Sequence, residues 1–171
     1  LTLYYSSFAG IEQNHSKYKL SETESISQSM RFEQASENNH ITLFNVYGSI
    51  QVEGYDGDEI LISAENQVFA NETTYLQQGL DEIGLKHVNS DNNIYVYLDS
   101  PFTHFEADTG DIWHSDTCYR RDDCSKKYTE KKQYKYLMDI TVKVPQNTNL
   151  KVSAINDGEI QVKNIDAKNI N

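Results

Sequence analysis

Apolar and polar residues alternate through most of the chain after position 40. The stretches "ITLFNV", "NNIYVYLDS" and "LMDITVKVP" carry apolar side chains at every second position. This alternation is typical of a β-strand with one buried face. Glycine-containing turns such as "GYDGD" separate the stretches, and such turn residues favour short strands joined by tight turns. The pattern therefore predicts an all-β protein.

Two segments fit this pattern less well. Residues 10–39 are polar with sparse apolar positions, and they fit either one or two lead-in strands or a short helix. Residues 65–82 have a partly helical apolar spacing, and they fit a helix as well as a strand pair with a long turn. We therefore divide the chain into an N-terminal lead-in segment, 1–39, and a β-domain, 40–171, with an insertion at about 99–135 where the alternation stops.

An internal repeat predicts how the strands are arranged. The stretches "GSIQVEGYDGDEI" (48–60) and "GEIQVKNIDAKNI" (158–170) align without a gap and share a turn glycine, a turn aspartate and the buried-type aliphatic residues. A repeated turn-and-strand unit is the signature of stacked coils, because one coil buries too little apolar surface to be stable alone. We therefore expect a β-solenoid, a β-helix-like stack of short strands, that is incomplete at its C-terminal end.

Composition and charge narrow the classes of partner. The hydrophobic content is 37% and the mean hydropathy is -0.68, which agrees with a thin core. The net charge of -11 repels nucleic-acid phosphates and anionic lipid heads, so we expect no nucleic-acid partner. The sequence contains no apolar run of about 18 residues, so we also expect no membrane span in this chain.

Two cysteines lie close together in the polar insertion. Cys118 and Cys124 are part of the stretch "TCYRRDDCSKKY", and their spacing is not that of a zinc knuckle. A close and exposed pair predicts a disulfide, which indicates an oxidising compartment and hence an exported protein. Two free thiols are the alternative.

The densest polar cluster is "HFEADTGDIWHSD", residues 104–116 of the same insertion. His104, Glu106, Asp108 and His114 are ligand types that suit zinc, manganese or calcium, so this loop is a candidate metal site. The spacing matches no established metal motif, and a solvated acidic loop is the alternative. The sequence has no G-x-S-x-G or phosphate-loop motif, and we predict that the protein is not an enzyme and needs no cofactor.

Aromatic residues form a further candidate surface. Tyr95 and Tyr97 share the face of a strand opposite its aliphatic residues, while Phe102, Phe105 and Trp113 lie in the insertion. Exposed rings of this kind stack on sugars, which makes a glycan a candidate partner. The alternative is that the rings cap the core or pair across strands.

Two stretches also resemble a known family. In "YKYLMDITVKVPQNTNLKVSAINDGEIQV" a strand ends in Val-Pro, "NTNL" follows, and an Asn-Asp-Gly turn precedes alternating aliphatic residues; "NVYGSIQVEGYDGDEILISA" has the same character. Over about residues 40–98 and 134–171 the chain resembles the DUF4097 family of adhesin-like bacterial envelope proteins. The resemblance implies a right-handed β-solenoid, export to the periplasm or cell surface, often with a lipid anchor, and no catalytic residues.

The residue patterns predict an all-β, β-solenoid fold with a disulfide-bearing loop insertion, and the resemblance to the DUF4097 family implies that this solenoid is right-handed. Its expected function is that of a non-catalytic, exported domain of the cell envelope or surface, with a structural or adhesin-like role. The alternatives are a carbohydrate-binding or carbohydrate-active β-helix protein and a metal-binding module built on the 104–116 loop. The candidate partners are a glycan and an envelope protein. In addition, an unpaired coil edge predicts edge-to-edge self-association. No ligand-binding residues are predicted.

Overall fold

The computed structural model describes residues 17–115, 132–156 and 158–171. In chain order, the described elements are β1 (Leu20–Met30), β2 (His40–Tyr47), β3 (Ile50–Tyr55), β4 (Ile60–Ala70), α1 (Thr73–Glu82), β5 (Gly84–Ser90), β6 (Asn93–Asp99), β7 (Thr103–Glu106), β8 (Asp111–His114), β9 (Tyr134–Pro145), β10 (Asn149–Asn156) and β11 (Ile160–Lys163). The prediction of an all-β protein is confirmed for this part of the chain.

The strands form two larger sheets and a small ribbon. The first sheet has the strand order β1-β4-β9-β3-β11, the second has the order β10-β2-β6-β5, and β7 pairs with β8 as a two-stranded ribbon. The inner faces of the two sheets contribute their aliphatic side chains to one buried core. This packing explains the alternation in the sequence, because each strand turns every second side chain toward the core.

The internal repeat is present in the structure as two stacked strands. In the first sheet, β9, β3 and β11 run parallel to one another, with β3 in the middle. The pairing of β3 with β11 follows the repeat alignment, with Ile160 beside Ile50 and Val162 beside Val52. The sheet therefore contains an isoleucine row (Ile140, Ile50, Ile160) and a valine row (Val142, Val52, Val162).

The second sheet stacks in the same way. Its strands β6, β2 and β10 are parallel, and Ile41 lies between Ile94 and Leu150. The strand β2 is followed two residues later by β3, and β10 is followed in the chain by β11, so each of these pairs makes one coil that passes from the second sheet to the first. The two copies of the repeat therefore belong to neighbouring coils.

The prediction of a β-solenoid is nevertheless wrong. The coils of a solenoid stack in chain order, whereas here β3 lies between β9 and β11, which follow it much later in the chain. In addition, β4 pairs antiparallel with both β1 and β9, and β5 pairs antiparallel with β6. The repeat produces two stacked coils, and antiparallel strands extend both sheets on their other side.

The two ambiguous segments have defined structures. The strand β1 falls within the predicted lead-in segment and pairs with β4 along its whole length. The helix interpretation of residues 65–82 is confirmed for Thr73–Glu82, while the residues up to Ala70 extend β4. Among the described helices, none has the length and apolar character that crossing a membrane requires. The predicted disulfide between Cys118 and Cys124 lies outside the described residues and stays a prediction.

Glycines at the coil corners allow the coils to stack closely. Gly48 has a φ of 114°, and a Cβ atom there would lie 2.0 Å from the carbonyl oxygen of Met138. At Gly158, its counterpart in the repeat, a Cβ atom would lie 2.2 Å from the carbonyl oxygen of Gly48. A side chain would clash at both positions, which explains why the repeat begins with glycine.

A buried polar residue also joins the two sheets. Asn45 on β2 is fully buried, and its Nδ2 donates a hydrogen bond of 2.7 Å to the carbonyl oxygen of Met138 on β9. Its Oδ1 accepts a hydrogen bond of 2.9 Å from the backbone N–H of Val46. The bond to Met138 fixes how β2 and β9 lie relative to each other, and the bond from Val46 pairs the amide oxygen, because buried polar groups are costly when unpaired.

Candidate functional site

The residues of the predicted metal site lie on the ribbon β7–β8. His104 and Glu106 are two residues apart on β7 and therefore share one face of the ribbon. His114 pairs with Thr103, the neighbour of His104, and therefore lies on the opposite face. Asp108 is in the turn that joins the two strands. The ribbon separates the two histidines instead of bringing all four side chains together.

The two histidines have other neighbours in the ribbon. The ring of His104 stacks on Trp113 with 4.0 Å between ring centroids, and His104 is 5% exposed. The Nδ1 atom of His114 lies 3.4 Å from the hydroxyl of Thr103. Within the described residues, no group of three or more His, Cys, Asp or Glu side chains is arranged to hold a metal ion. The arrangement lends the metal hypothesis no support, and the hypothesis stays a prediction.

The aromatic residues considered for sugar binding are mostly covered. Phe105 of the ribbon stacks on Tyr97, with centroids 5.5 Å apart and planes at 13°, and it also contacts Tyr95 at 5.2 Å. Tyr97 is therefore buried, and burial raises the pKa of its phenol. Phe102 is buried as well, whereas Trp113 is 41% exposed. The rings mainly attach the ribbon to the outer face of β6, which is the alternative that the sequence left open.

A cleft of about 460 Å³ lies between α1, the β5–β6 pair and the ribbon. Its charged groups are engaged within the protein: the Nζ of Lys86 on β5 is 2.7 Å from the carboxylate of Asp99 on β6. On α1, the carboxylate of Glu82 accepts a hydrogen bond of 2.5 Å from the hydroxyl of Tyr134 on β9. These contacts tie β5 to β6 and α1 to β9, so the polar groups of the cleft have a structural role.

The core is open at the coil formed by β10 and β11. Ile160 is 42% exposed, although Ile50 and Ile140 in the same row are almost completely buried. In the second sheet, Ile170 pairs with Leu150 and is 51% exposed, whereas Leu150 is fully buried. We call the surface formed by Ile160, Val162, Lys163 and Ile170 the open coil end. It is the place in the described structure where buried aliphatic rows reach solvent.

The backbone at the open coil end is a strand edge. Among the described residues, β11 pairs with β3 on one side and with no strand on the other. The backbone N–H of Ile140 donates to the carbonyl oxygen of Ser49, and that of Ile50 donates to the carbonyl oxygen of Glu159, both at 2.9 Å. Each of these two isoleucines therefore bonds to the residue that precedes the neighbouring strand. The same strand geometry directs the N–H of Ile160 away from β3, toward the open side. In the second sheet, residues 169–171 pair with the first half of β10.

Charged side chains on the outer face form a third row. Glu53 on β3 lies between Lys143 on β9 and Lys163 on β11, and its Oε2 is 4.0 Å and 3.9 Å from their Nζ atoms. We call this set the charged row. The sequence analysis missed it, because the aligned stretches "IQVE", "ITVK" and "IQVK" end in one acidic and two basic residues, and their charges alternate only in the order that the strands take in the sheet.

Comparisons with known proteins do not establish a family. No family model matches the chain, and no curated protein matches it. The resemblance to the DUF4097 family is therefore not confirmed. Among solved structures, a candidate cell adhesion protein from Clostridium sporogenes is similar at a TM-score of 0.39 and 11% identity, over 88% of this chain and 56% of that protein. The chain thus spans little more than half of that protein, and a TM-score of this size does not establish a shared fold.

Proposed function

We propose that this chain is a non-catalytic domain of the bacterial cell envelope or cell surface, exported to act in a structural or adhesin-like role. In this proposal it works by strand addition, accepting an extended segment of a partner protein at the open coil end. One observation carries the proposal: in the part of the chain that the structure describes, Ile160 and Ile170 end aliphatic rows that are otherwise buried, next to the edge strand β11.

The energetics favour covering this surface. Full burial of an isoleucine contributes about 1.5–3 kcal/mol, so covering the exposed parts of Ile160 and Ile170 contributes about 2 kcal/mol in total. Each backbone hydrogen bond to an added strand contributes about 0.5–1.5 kcal/mol more. Strand addition to an exposed sheet edge is a recurring mode of peptide recognition.

The charge distribution also favours this end of the molecule. Residues 1–117 hold 19 acidic and 4 basic side chains, so this part of the chain repels acidic partners. Residues 149–171 are balanced, with three basic and three acidic side chains: Lys151, Lys163, Lys168, Asp157, Glu159 and Asp166. A partner that approaches the open coil end therefore meets little net charge.

Export is supported by the predicted disulfide and is tested independently of strand addition. If Cys118 and Cys124 are bridged, the mass of the protein isolated from its native compartment rises by two hydrogens on reduction. An unchanged mass would contradict this part of the proposal. Periplasmic, surface-exposed and lipid-anchored forms are then distinguished by fractionation of the cells that produce the protein.

Strand addition is tested with a peptide of residues 47–55, "YGSIQVEGY", which copies the strand that covers β11 on its other side. Isothermal titration calorimetry of the full chain with this peptide is expected to show saturable binding. The substitution Ile160→Lys should abolish this binding. Ile155→Lys is the matched control, because Ile155 is 48% exposed but lies on the face of β10 opposite Leu150. Absence of binding to the unaltered chain, or equal binding to Ile160→Lys, would refute the proposal.

Glycan binding is a second candidate function, and one observation favours it. The ring of Trp113 is 41% exposed and is held flat against the buried ring of His104, an arrangement that suits stacking on a sugar. A glycan array probed with the full chain and with Trp113→Ala tests this candidate. Glycans that bind the full chain but not Trp113→Ala would support glycan binding. An array on which the full chain binds no glycan would exclude this candidate function.

A further inference from the structure

We infer that the open coil end selects a partner strand of the pattern Ile-x-Val-acid, in which the acidic residue pairs with Lys163. The inference rests on the proposed function and adds the identity of the partner: an extended segment of a separate protein chain that adds parallel to β11. Three features of the first sheet define this pattern, one for each kind of contact that an added strand makes.

The aliphatic rows define two positions of the partner strand. Parallel neighbours place equivalent residues next to each other, and adjacent strands are about 4.8 Å apart. In the first sheet this stacking has already placed isoleucine on isoleucine and valine on valine in three successive strands. A strand with isoleucine beside Ile160 and valine beside Val162 continues both rows and covers the side chains that are now exposed.

The charged row defines a third position. Opposite charges on adjacent strands are favourable and like charges are unfavourable, and the row alternates from Lys143 to Glu53 to Lys163. The side chain of Lys163 is 60% exposed, and it shares its acidic neighbour with Lys143. An acidic residue beside Lys163 continues the alternation, whereas a basic residue would add a like charge.

The backbone defines the direction and register. Ser49 and Glu159 each precede the isoleucine of their strand, and their carbonyl oxygens accept the N–H of the isoleucine in the neighbouring strand. The N–H of Ile160 is directed to the open side in the same way. The residue before the isoleucine of a parallel partner strand therefore supplies the matching acceptor.

A second copy of this chain does not provide such a strand in its folded state. Its own segment of this pattern, "IQVE", is β3, which lies between β9 and β11. The partner must therefore offer the pattern in a segment that is free to extend. The sequence of β3 nevertheless supplies a suitable probe, because it satisfies all three requirements when it is presented as a free peptide.

Charge selection is tested with two peptides, "YGSIQVEGY" and its lysine counterpart "YGSIQVKGY", against the full chain and against Lys163→Glu and Lys163→Gln. Because exposed ion pairs are weak, we expect the unaltered chain to bind the glutamate peptide about two- to fivefold more tightly. Lys163→Glu should reverse this preference, and Lys163→Gln should remove it. The preference should also disappear near 1 M salt, where the screening length is about 3 Å.

The outcomes separate this inference from the proposed function. Equal affinities of the two peptides for all three proteins would overturn charge selection while strand addition stands. If neither peptide binds any of the proteins, both charge selection and strand addition are overturned. Circular dichroism and the thermal unfolding midpoint of each variant serve as controls for folding, and both should change little because Lys163 is largely exposed.

Discussion

Ile160 lies beside Ile50 in the parallel pair β11–β3, yet 42% of Ile160 is exposed while Ile50 is completely buried. The two residues occupy the same position of the same repeat, and each has a parallel neighbour on one side. They differ because β9 lies on the far side of β3, whereas β11 is at the edge of the sheet. The difference in their exposed fractions shows how much of the surface of Ile160 an added strand would cover.

This pair gives a direct test of the stacking. Ile50→Ala removes a buried side chain and should lower the free energy of unfolding by about 2–5 kcal/mol. Ile160→Ala removes a side chain that is already half in solvent and should cost less than about 1.5 kcal/mol. Urea denaturation of both variants measures the two losses, and equal losses would contradict the assignment of β11 as an open edge.

The corner glycine provides a second test. Gly48→Ala forces a Cβ atom into a left-handed backbone position and against the carbonyl oxygen of Met138, so it should destabilise the protein by about 2 kcal/mol or more. Gly84→Ala is the control, since a Cβ atom there meets nothing within 4 Å and should change stability by less than about 1 kcal/mol. Thermal unfolding of the two variants should therefore separate them clearly.

The buried amide of Asn45 should matter in the same way. Asn45→Ala leaves the N–H of Val46 and the carbonyl oxygen of Met138 without these side-chain partners, at a cost of about 1–3 kcal/mol for each group that stays unsatisfied. Asn89 is exposed on β5, and Asn89→Ala should stay within about 0.5 kcal/mol. A loss at position 45 no larger than at position 89 would argue against the contact between β2 and β9.

His40 gives the protein a pH dependence of known sign. Burial at the start of β2 lowers the pKa of His40, and the charge of Lys151 lowers it further. The unfolded chain therefore takes up this proton at a higher pH than the folded protein, so stability falls as the pH drops below about 6.5 toward the lowered pKa. Denaturation from pH 7.5 to 5 should show a slope of up to about 1.4 kcal/mol per pH unit that His40→Gln reduces. An identical pH profile for the variant would refute this prediction.

The alternation of residues predicted the strands but not their order in the sheets. The stretches "ITVK", "IQVE" and "IQVK" present the same aliphatic spacing, so any two of them are suited to pair. The structure places "IQVE" in the middle, although it comes first in the chain. Which strands become neighbours depends on the long connections, among them the helix Thr73–Glu82 after β4, and local patterns do not encode this arrangement.

The ribbon shows a second limit of sequence reasoning. Spacing alone allowed His104 and His114 to bind the same metal ion, because the turn between them is short. The pairing register decides which face each side chain occupies, and a shift of one residue would move His114 to the face of His104. By contrast, the stacking of Ile160 on Ile50 could be predicted, because the repeat fixed both spacing and register.

Amide hydrogen exchange tests most directly whether a partner strand adds to β11 at the open coil end. In the free protein, the amides of Ile160 and Val162 should exchange quickly, while those of Gln161 and Lys163, which face β3, should exchange slowly. Saturation with the peptide "YGSIQVEGY" should slow exchange at Ile160 and Val162 and leave the other two unchanged. Unchanged exchange at Ile160 and Val162 in the saturated complex would contradict the claim.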